Sequence, residues 1–513
     1  MSPRSRVICF AVAAGFASAL LAGCGGSSSN PVQLPSQSSP PPISSPTYVS
    51  AGDAPMANVL AAEVTFSAIT ATDASGNSVS LLAAPATLDL AHLGGARAPI
   101  AVGSLGADSF ASISYTISGV TVSYVDGTGT VQPNVAATLS CGANTTTCTF
   151  TPAAGTAPAT VAVTVTLTNA KGPAPLVVGD STATDVGLEF NLASALDLTG
   201  TTVTFTPNAT VSASQVENEA APPTLELDGT VSSANASNNS VILKMASGVS
   251  AQEAFTTGAL DDNLTVAAVQ PGTVLYTKAT LNTSGSFTAT TAEDPNGGVA
   301  LGTGDEVVSG IVTATTVDNT TTPPTLTSVT VVPNQSTNSA TGTADLGTAI
   351  TIPVASTTLI KDTAPATAAG LATFDQTQVF PGQSVMLAWT DIAATKTAPA
   401  SMIADEIRPA PVSTSGTSAS AVTATSGVSS FTLVPDPATN YAAFVPIATE
   451  TASANAATSV NVTDGSGNSY TSAAALATGG SGSGMPTGTT VTAQGYLSSA
   501  AGAYTLFLAT LGN

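Results

Sequence analysis

Alternation with a period of two runs through most of this chain and constrains its fold more than any single motif does. In ASISYTISGVTVSYV (Ala111–Val125) and ATVAVTVTLTN (Ala159–Asn169), apolar residues take every second place and Ser or Thr the places between. Such a run buries one face of a strand and leaves the other in water. The breaks between runs carry Asp, Gly and Asn, as in DASGN (Asp73–Asn77) and at Asp126-Gly127, which supply the positive-φ positions of hairpin turns. Helical periodicity is weak throughout. The chain is therefore predicted to be all-β: an N-terminal antiparallel β-sandwich followed by repeated small β-barrel or sandwich-like modules.

At 513 residues the chain is too long for one ordinary core. Only 8% of its residues are charged, so its outer faces must be solvated by hydroxyl groups instead. Arg4 and Arg6 stand at the extreme N-terminus, which leaves seven cations against 31 acids in the remainder. That balance repels phosphate backbones and excludes nucleic acid as a partner. The polybasic segments that attract anionic lipid are also missing.

The two arginines precede an apolar run, Val7–Gly23, of the length of a secretory signal core. Leu21-Ala22-Gly23-Cys24 follows, and resembles the lipobox of bacterial lipoproteins. The resemblance implies that residues 1–23 are a signal peptide and that Cys24 is lipidated and becomes the first mature residue. Two or more acyl chains anchor a protein stably to a bilayer. Gly25, where inner-membrane lipoproteins carry Asp, implies a lipid-anchored place in the cell envelope, at the outer membrane. Residues 24–47 are rich in Gly, Ser and Pro and read as a tether.

A first domain is expected over 48–214. Its opening, SAGDAPMANVLAAEVTFSAITATDASGN, with LDLAHLGG (Leu88–Gly95), VGSLGADSFASISYTISGV (Val102–Val120) and GLEFNLASALDL (Gly187–Leu198) in order, resembles a domain-of-unknown-function family of secreted lipoproteins. The resemblance implies an all-β fold outside the cytoplasm and carries no activity with it. Cys141 and Cys148 flank a six-residue stretch, and in an exported protein they are expected to form a disulfide.

VENEAAPPTLEL marks the next boundary, after which a turn–strand–hairpin–strand pattern recurs. It appears in VQPGTVLYTKATLNTSGSFTATTA, in LGTGDEVVSGIVTATTVDNTTTPPTLTSVTVVP, in VFPGQSVMLAWTDIAATKTAPASMIADEIRP and in MPTGTTVTAQGYLSSAAGAYTLFLATLGN. This half resembles a second unknown-function family of small β-barrel modules. On that resemblance Asp228-Gly229-Thr230-Val231 starts one copy, the segment from Asp305 to Gly310 is its later strand, and Gly382-Gln383-Ser384-Val385 belongs to a repeat. Modules are accordingly expected at 222–335, 336–412 and 413–513.

Chemistry is sparse. His92 is the only histidine, no Cys-x-x-Cys pair exists, and no nucleophile elbow, zinc helix or phosphate loop occurs. Asp261-Asp262, Glu293-Asp294 and Asp405-Glu406 are adjacent acids, which a strand sends to opposite faces. The acidic turns DASGNS, AEDPNGG and DGSGNS hold too few carboxylates for a calcium loop. Trp389 alternates with apolar neighbours and is expected in a core. No catalytic, cofactor or metal residue is assigned. The expected function is a structural, adhesion or assembly role without catalysis, on an envelope protein or glycan partner. The alternative is capture of a glycan, peptide or small molecule.

Overall fold

The computed structural model describes residues 44–512 apart from 55–57, 92, 94–96, 127–129, 143–146, 170–171, 180, 200–201, 220–221, 246, 261–263, 295–304, 340–347, 393–400, 437–446, 479–483 and 501. Cys24, the signal segment, the tether up to Ile43, His92 and Asp261-Asp262 lie outside the described residues. Strands dominate the rest, and the fold is all-β.

The first module is a sandwich. One layer is built on strands Val59–Asp73 and Asp108–Val125, which pair antiparallel along most of their length with several bulges. The bulges let so long a hairpin coil around the core instead of staying flat. The other layer holds Thr210–Gln215, Thr184–Asn191, Ser44–Ala54 and Arg97–Gly106 in that order. One pairing in it departs from antiparallel: Ser44–Ala54 and Thr184–Asn191 run side by side in the same direction. Inward residues of both layers form one core, in which the Phe190 ring meets Phe66 at 6.1 Å and Tyr115 at 5.8 Å, both edge-on. Such pairs add to the gain from burial alone.

Three five-stranded barrels follow, and all three share one strand order. In the first the strands are Gly229–Asn235, Ser240–Met245, Ser250–Phe255, Val274–Leu281 and Phe287–Glu293. In the second they are Asp305–Asp318, Thr325–Ser339, Ile350–Ile360, Ser384–Ile392 and Ser401–Pro409. In the third they are Val412–Ser418, Val428–Pro435, Glu450–Ala454, Thr490–Ala500 and Ala503–Gly512. Each ring of pairings runs one-two-three-five-four and back to one, with strands three and five parallel. A short helix, Ala364–Ala369 or Ala473–Thr478, joins strands three and four in the second and third barrels. In the first barrel a turn at Thr265–Val269 takes that place.

Closure is achieved by the same atoms each time. Strand one carries a glycine whose absent side chain lets strand two's backbone approach: a Cβ on Gly229, Gly310 or Gly416 would stand 2.6, 2.8 or 2.3 Å from the carbonyl oxygen of Lys244, Val332 or Val434. Two residues on, strand one exchanges a reciprocal pair of backbone hydrogen bonds with the turn before strand four. Val231 does so with Gly272 and Thr273, Val312 with Gly382 and Gln383, and Ser418 with Gly488 and Thr489, at 2.7–3.0 Å. The turn glycines have φ of +96°, +91° and +83°, a region open to glycine without strain. The strand-one glycines face Leu275, Val385 and Val491, each three residues after its turn glycine.

Three of the four sequence echoes are thus the strand four–five hairpins of successive barrels. The fourth, Leu301–Pro333, holds strand one of the second barrel and the first part of strand two. The segment from Asp305 to Gly310, expected as a later strand of the first copy, opens the second barrel instead, pairing with its strands two and four. Residues on both sides of 335 accordingly share one barrel. Gly-Thr-Val opens both strand one (Gly229) and strand four (Gly272) of the first barrel, so the pattern alone does not separate them.

Residues 43–513 form one compact unit. The strand Thr224–Glu226 links the first module's sheet to the first barrel, pairing with Val274–Leu281 on one side and meeting Arg97 through Leu225 on the other. Leu60 and Val125 of the first module share a small apolar cluster with Ile311 and Val332 of the second barrel.

Candidate functional site

Cations are rare in this chain, so the places where the fold puts them are informative. Arg97 lies across the outward face of the first module's sheet. In register it stands beside Gly52, which stands beside Glu189, while Ser50, Gly187 and Ser212 make the neighbouring row. The row positions held by glycine open a channel for the guanidinium: a Cβ on Gly187 would lie 1.9 Å from Arg97 Nη1. Arg97 Nη2 reaches Asp185 Oδ2 at 2.8 Å and its Nε reaches Glu189 Oε1 at 3.2 Å. Burial raises the Asp185 acid to about 6, although the Arg97 guanidinium pulls the other way. Taking a carboxylate out of water outweighs one close cation here.

The same region is where the first barrel docks. Its strand four–five turn, Asn282–Ser286, accepts a hydrogen bond from Tyr48 Oη at the Gly285 carbonyl (2.6 Å) and from the Ala183 amide at the Thr283 carbonyl (2.7 Å). The Tyr48 ring meets Phe287 edge-on at 5.0 Å, and Ser247 Oγ donates to the Pro99 carbonyl. On the linking strand, Glu226 pairs with Lys278 of the first barrel at 3.6 Å.

A second cation cluster lies beside the next seam. Arg408 and Glu406 are bonded to each other on strand five of the second barrel, and Lys361 reaches Glu406 Oε2 at 3.6 Å. Arg408 and Glu406 stand opposite Met386 and Ala388, which pack with Val307 against Tyr276 of the first barrel. Arg408 is 1% exposed, and burial lowers its guanidinium to about 10.

The first barrel holds a group of a different kind inside. Glu253 points inward from strand three beside Ala251 and Phe255, is 0% exposed, and neither carboxylate oxygen accepts a hydrogen bond. The Thr277 side chain lies beside it and pulls its acid down, while the Thr277 hydroxyl donates to the Leu227 carbonyl and its amide to Asp228 Oδ1. Burial pushes the Glu253 acid up to about 8, and the Asp228 charge adds to the rise. This residue was not singled out by sequence, although alternation in SAQEAF sets it on the same face as Ala251 and Phe255.

The residues singled out by sequence fall as follows. Cys141 and Cys148 form a disulfide with a Cα–Cα distance of 5.6 Å, at the start of an edge strand, Cys148–Thr151. Trp389 is 2% exposed in the second barrel's core. Of the adjacent acids, Asp405 accepts from the Thr390 hydroxyl, while Glu406 points to the other side into its ion pairs. The twin turns at Asp73 and Asp464 engage their own carboxylates. Asp464 Oδ1 accepts from the amides of Ser466 and Asn468, and its Oδ2 accepts from Asn468 Nδ2 and Tyr470 Oη. These donors, Asn468 foremost, hold the Asp464 acid down to about 2. Asp73 repeats the pattern with Ser75 and Asn77.

Among the described residues no cluster of three or more His, Cys, Asp or Glu has metal-binding geometry. No family model, curated protein or solved structure matches this chain.

Proposed function

We propose that this chain is a lipid-anchored envelope protein that works as a jointed but stiff spacer, presenting four β modules for adhesion or assembly, without catalysis. One observation carries the reading. The cations that could have done chemistry are already held in ion pairs next to the module seams: Arg97 within the first module, Lys278 to the linking strand, and Arg408 and Lys361 within the second barrel. The anchor rests on the lipobox resemblance at Cys24, and the disulfide fits an oxidising compartment.

The alternative, capture of a glycan or other oligomer, draws on the barrel type. Five-stranded Greek-key barrels of the OB-fold kind bind oligonucleotides and oligosaccharides on strands two and three and on the one–two and four–five loops. In the first barrel the four–five loop is docked on Tyr48 and Ala183, which leaves that face incomplete as a clamp. This favours the spacer.

The anchor is tested by replacing Cys24 with Ser in the native host and fractionating the cells. Wild-type protein is expected in the membrane fraction and Cys24→Ser in the soluble fraction. A variant that stays with the membrane overturns lipidation as the means of attachment.

A further inference from the structure

We infer that the first barrel is a proton-dependent clasp, closed in acid and loosened as the medium turns alkaline, with Glu253 as the group that senses the change. The geometry makes the claim. A carboxyl group sits inside an apolar barrel at 0% exposure with both oxygens unbonded. As a neutral acid it is tolerated there; as an anion it has no cation at its side, and the pull of the neighbouring Thr277 side chain is smaller than the cost of burial.

The charged groups around it reinforce this. Asp228, just ahead of strand one, is negative and raises the Glu253 acid. Glu293, at the end of strand five, is likewise raised, to about 7, by burial, against the pull of Lys278 and with the push of Asp228. Lys278 is exposed and pairs with Glu226, and Lys244 of strand two stands on the barrel's outer face. Asp228 thus acts on both carboxyls, while Lys278 offsets the rise only at Glu293.

The sign follows from linkage. An ordinary glutamic acid ionises near 4.3 in an unfolded chain. Glu253 holds its proton to about 8 in the folded barrel. Between those values the closed form binds one more proton than the open form, so closure weakens as pH rises and levels off above the upper value. One such group changes the opening equilibrium by up to tenfold per pH unit. Glu293 acts in the same direction over a narrower range. Because part of Glu293 remains open to solvent, Glu253 carries the larger share.

This clasp bears on the spacer, since the first barrel's four–five turn is what docks on the first module. The device stands or falls independently of the anchor. The test is amide hydrogen exchange of the mature chain, with and without Glu253→Gln, at a series of pH values from 5 to 9, corrected for intrinsic rates. Protection of strands Ser250–Phe255 and Val274–Leu281 in the wild type is expected to fall steeply up to about 8 and then flatten. Glu253→Gln should lose up to tenfold of that change per pH unit, while strands of the third barrel keep their wild-type profile. Identical profiles for wild type and variant overturn the inference. Should Glu253→Gln not fold, the Glu253 carboxyl of the wild type is titrated by its carbon-13 shift, and ionisation below about pH 5 overturns it equally.

Discussion

A single glycine decides whether Arg97 can reach its acids. Alanine at 187 would put its Cβ within 1.9 Å of Arg97 Nη1 and 2.7 Å of Ser212 Oγ. The guanidinium can swing away, but Asp185, 2% exposed, then keeps a buried carboxylate without its cation. Breaking one side of a buried pair typically costs about 3–5 kcal/mol. Gly187→Ala is therefore expected to lower stability by about that amount in denaturant unfolding. On an Arg97→Met background the same substitution should cost much less, because the guanidinium clash and the pair are gone and only the Ser212 side chain has to give way; equal costs on the two backgrounds would show that the channel matters for another reason.

At the scale of the element, strand one of each barrel has to serve two neighbours, strands two and four, and it does so through one glycine and one pair of hydrogen bonds. Backbone stands against the glycine, and backbone cannot yield as a side-chain tip can. Gly416→Ala, with its Cβ 2.3 Å from the Val434 carbonyl oxygen, is expected to destabilise the third barrel by about 2–4 kcal/mol. Gly465→Ala, at a turn with open space around it, should change stability by less than about 0.5 kcal/mol. Thermal unfolding of both variants checks this, and similar losses in the two would remove the closure argument. The outward faces explain the near absence of charge: hydroxyl pairs such as Thr65–Thr87, Ser114–Thr164 and Thr330–Thr351, at 2.8–2.9 Å, line them and are satisfied across strands.

Over the whole described molecule, the barrels are not independent beads. Tyr496, from strand four of the third barrel, is 5% exposed in the core of the second. Gln378 of the second barrel accepts from the Ser498 hydroxyl at 2.8 Å, and Asn455 of the third donates to the Ala368 carbonyl at 2.8 Å. A chain ending at Ala410 should leave the second barrel with an uncovered core face. Burying a large side chain contributes about 1.5–3 kcal/mol, and each lost hydrogen bond about 1 kcal/mol more. Hydrogen exchange in strand Ser384–Ile392 is expected to quicken at least tenfold in the shortened chain. Unchanged protection would show that the second and third barrels fold separately.

The period-two alternation by itself determined the all-β class and the core place of Trp389, because burial on one face of a strand is a local, readable demand. Turn chemistry was equally local, and the Asp73 and Asp464 turns hold their own carboxylates as their sequence invites. Strand order was not readable, since Gly-Thr-Val leads into both strand one and strand four of the first barrel. Nor was the fate of the charges. Arg97 gains its meaning from Gly187 and Asp185, some ninety residues away, and Glu253 from the barrel that closes over it. Those depend on which strands become neighbours, a long-range outcome of packing that only the tertiary structure decided.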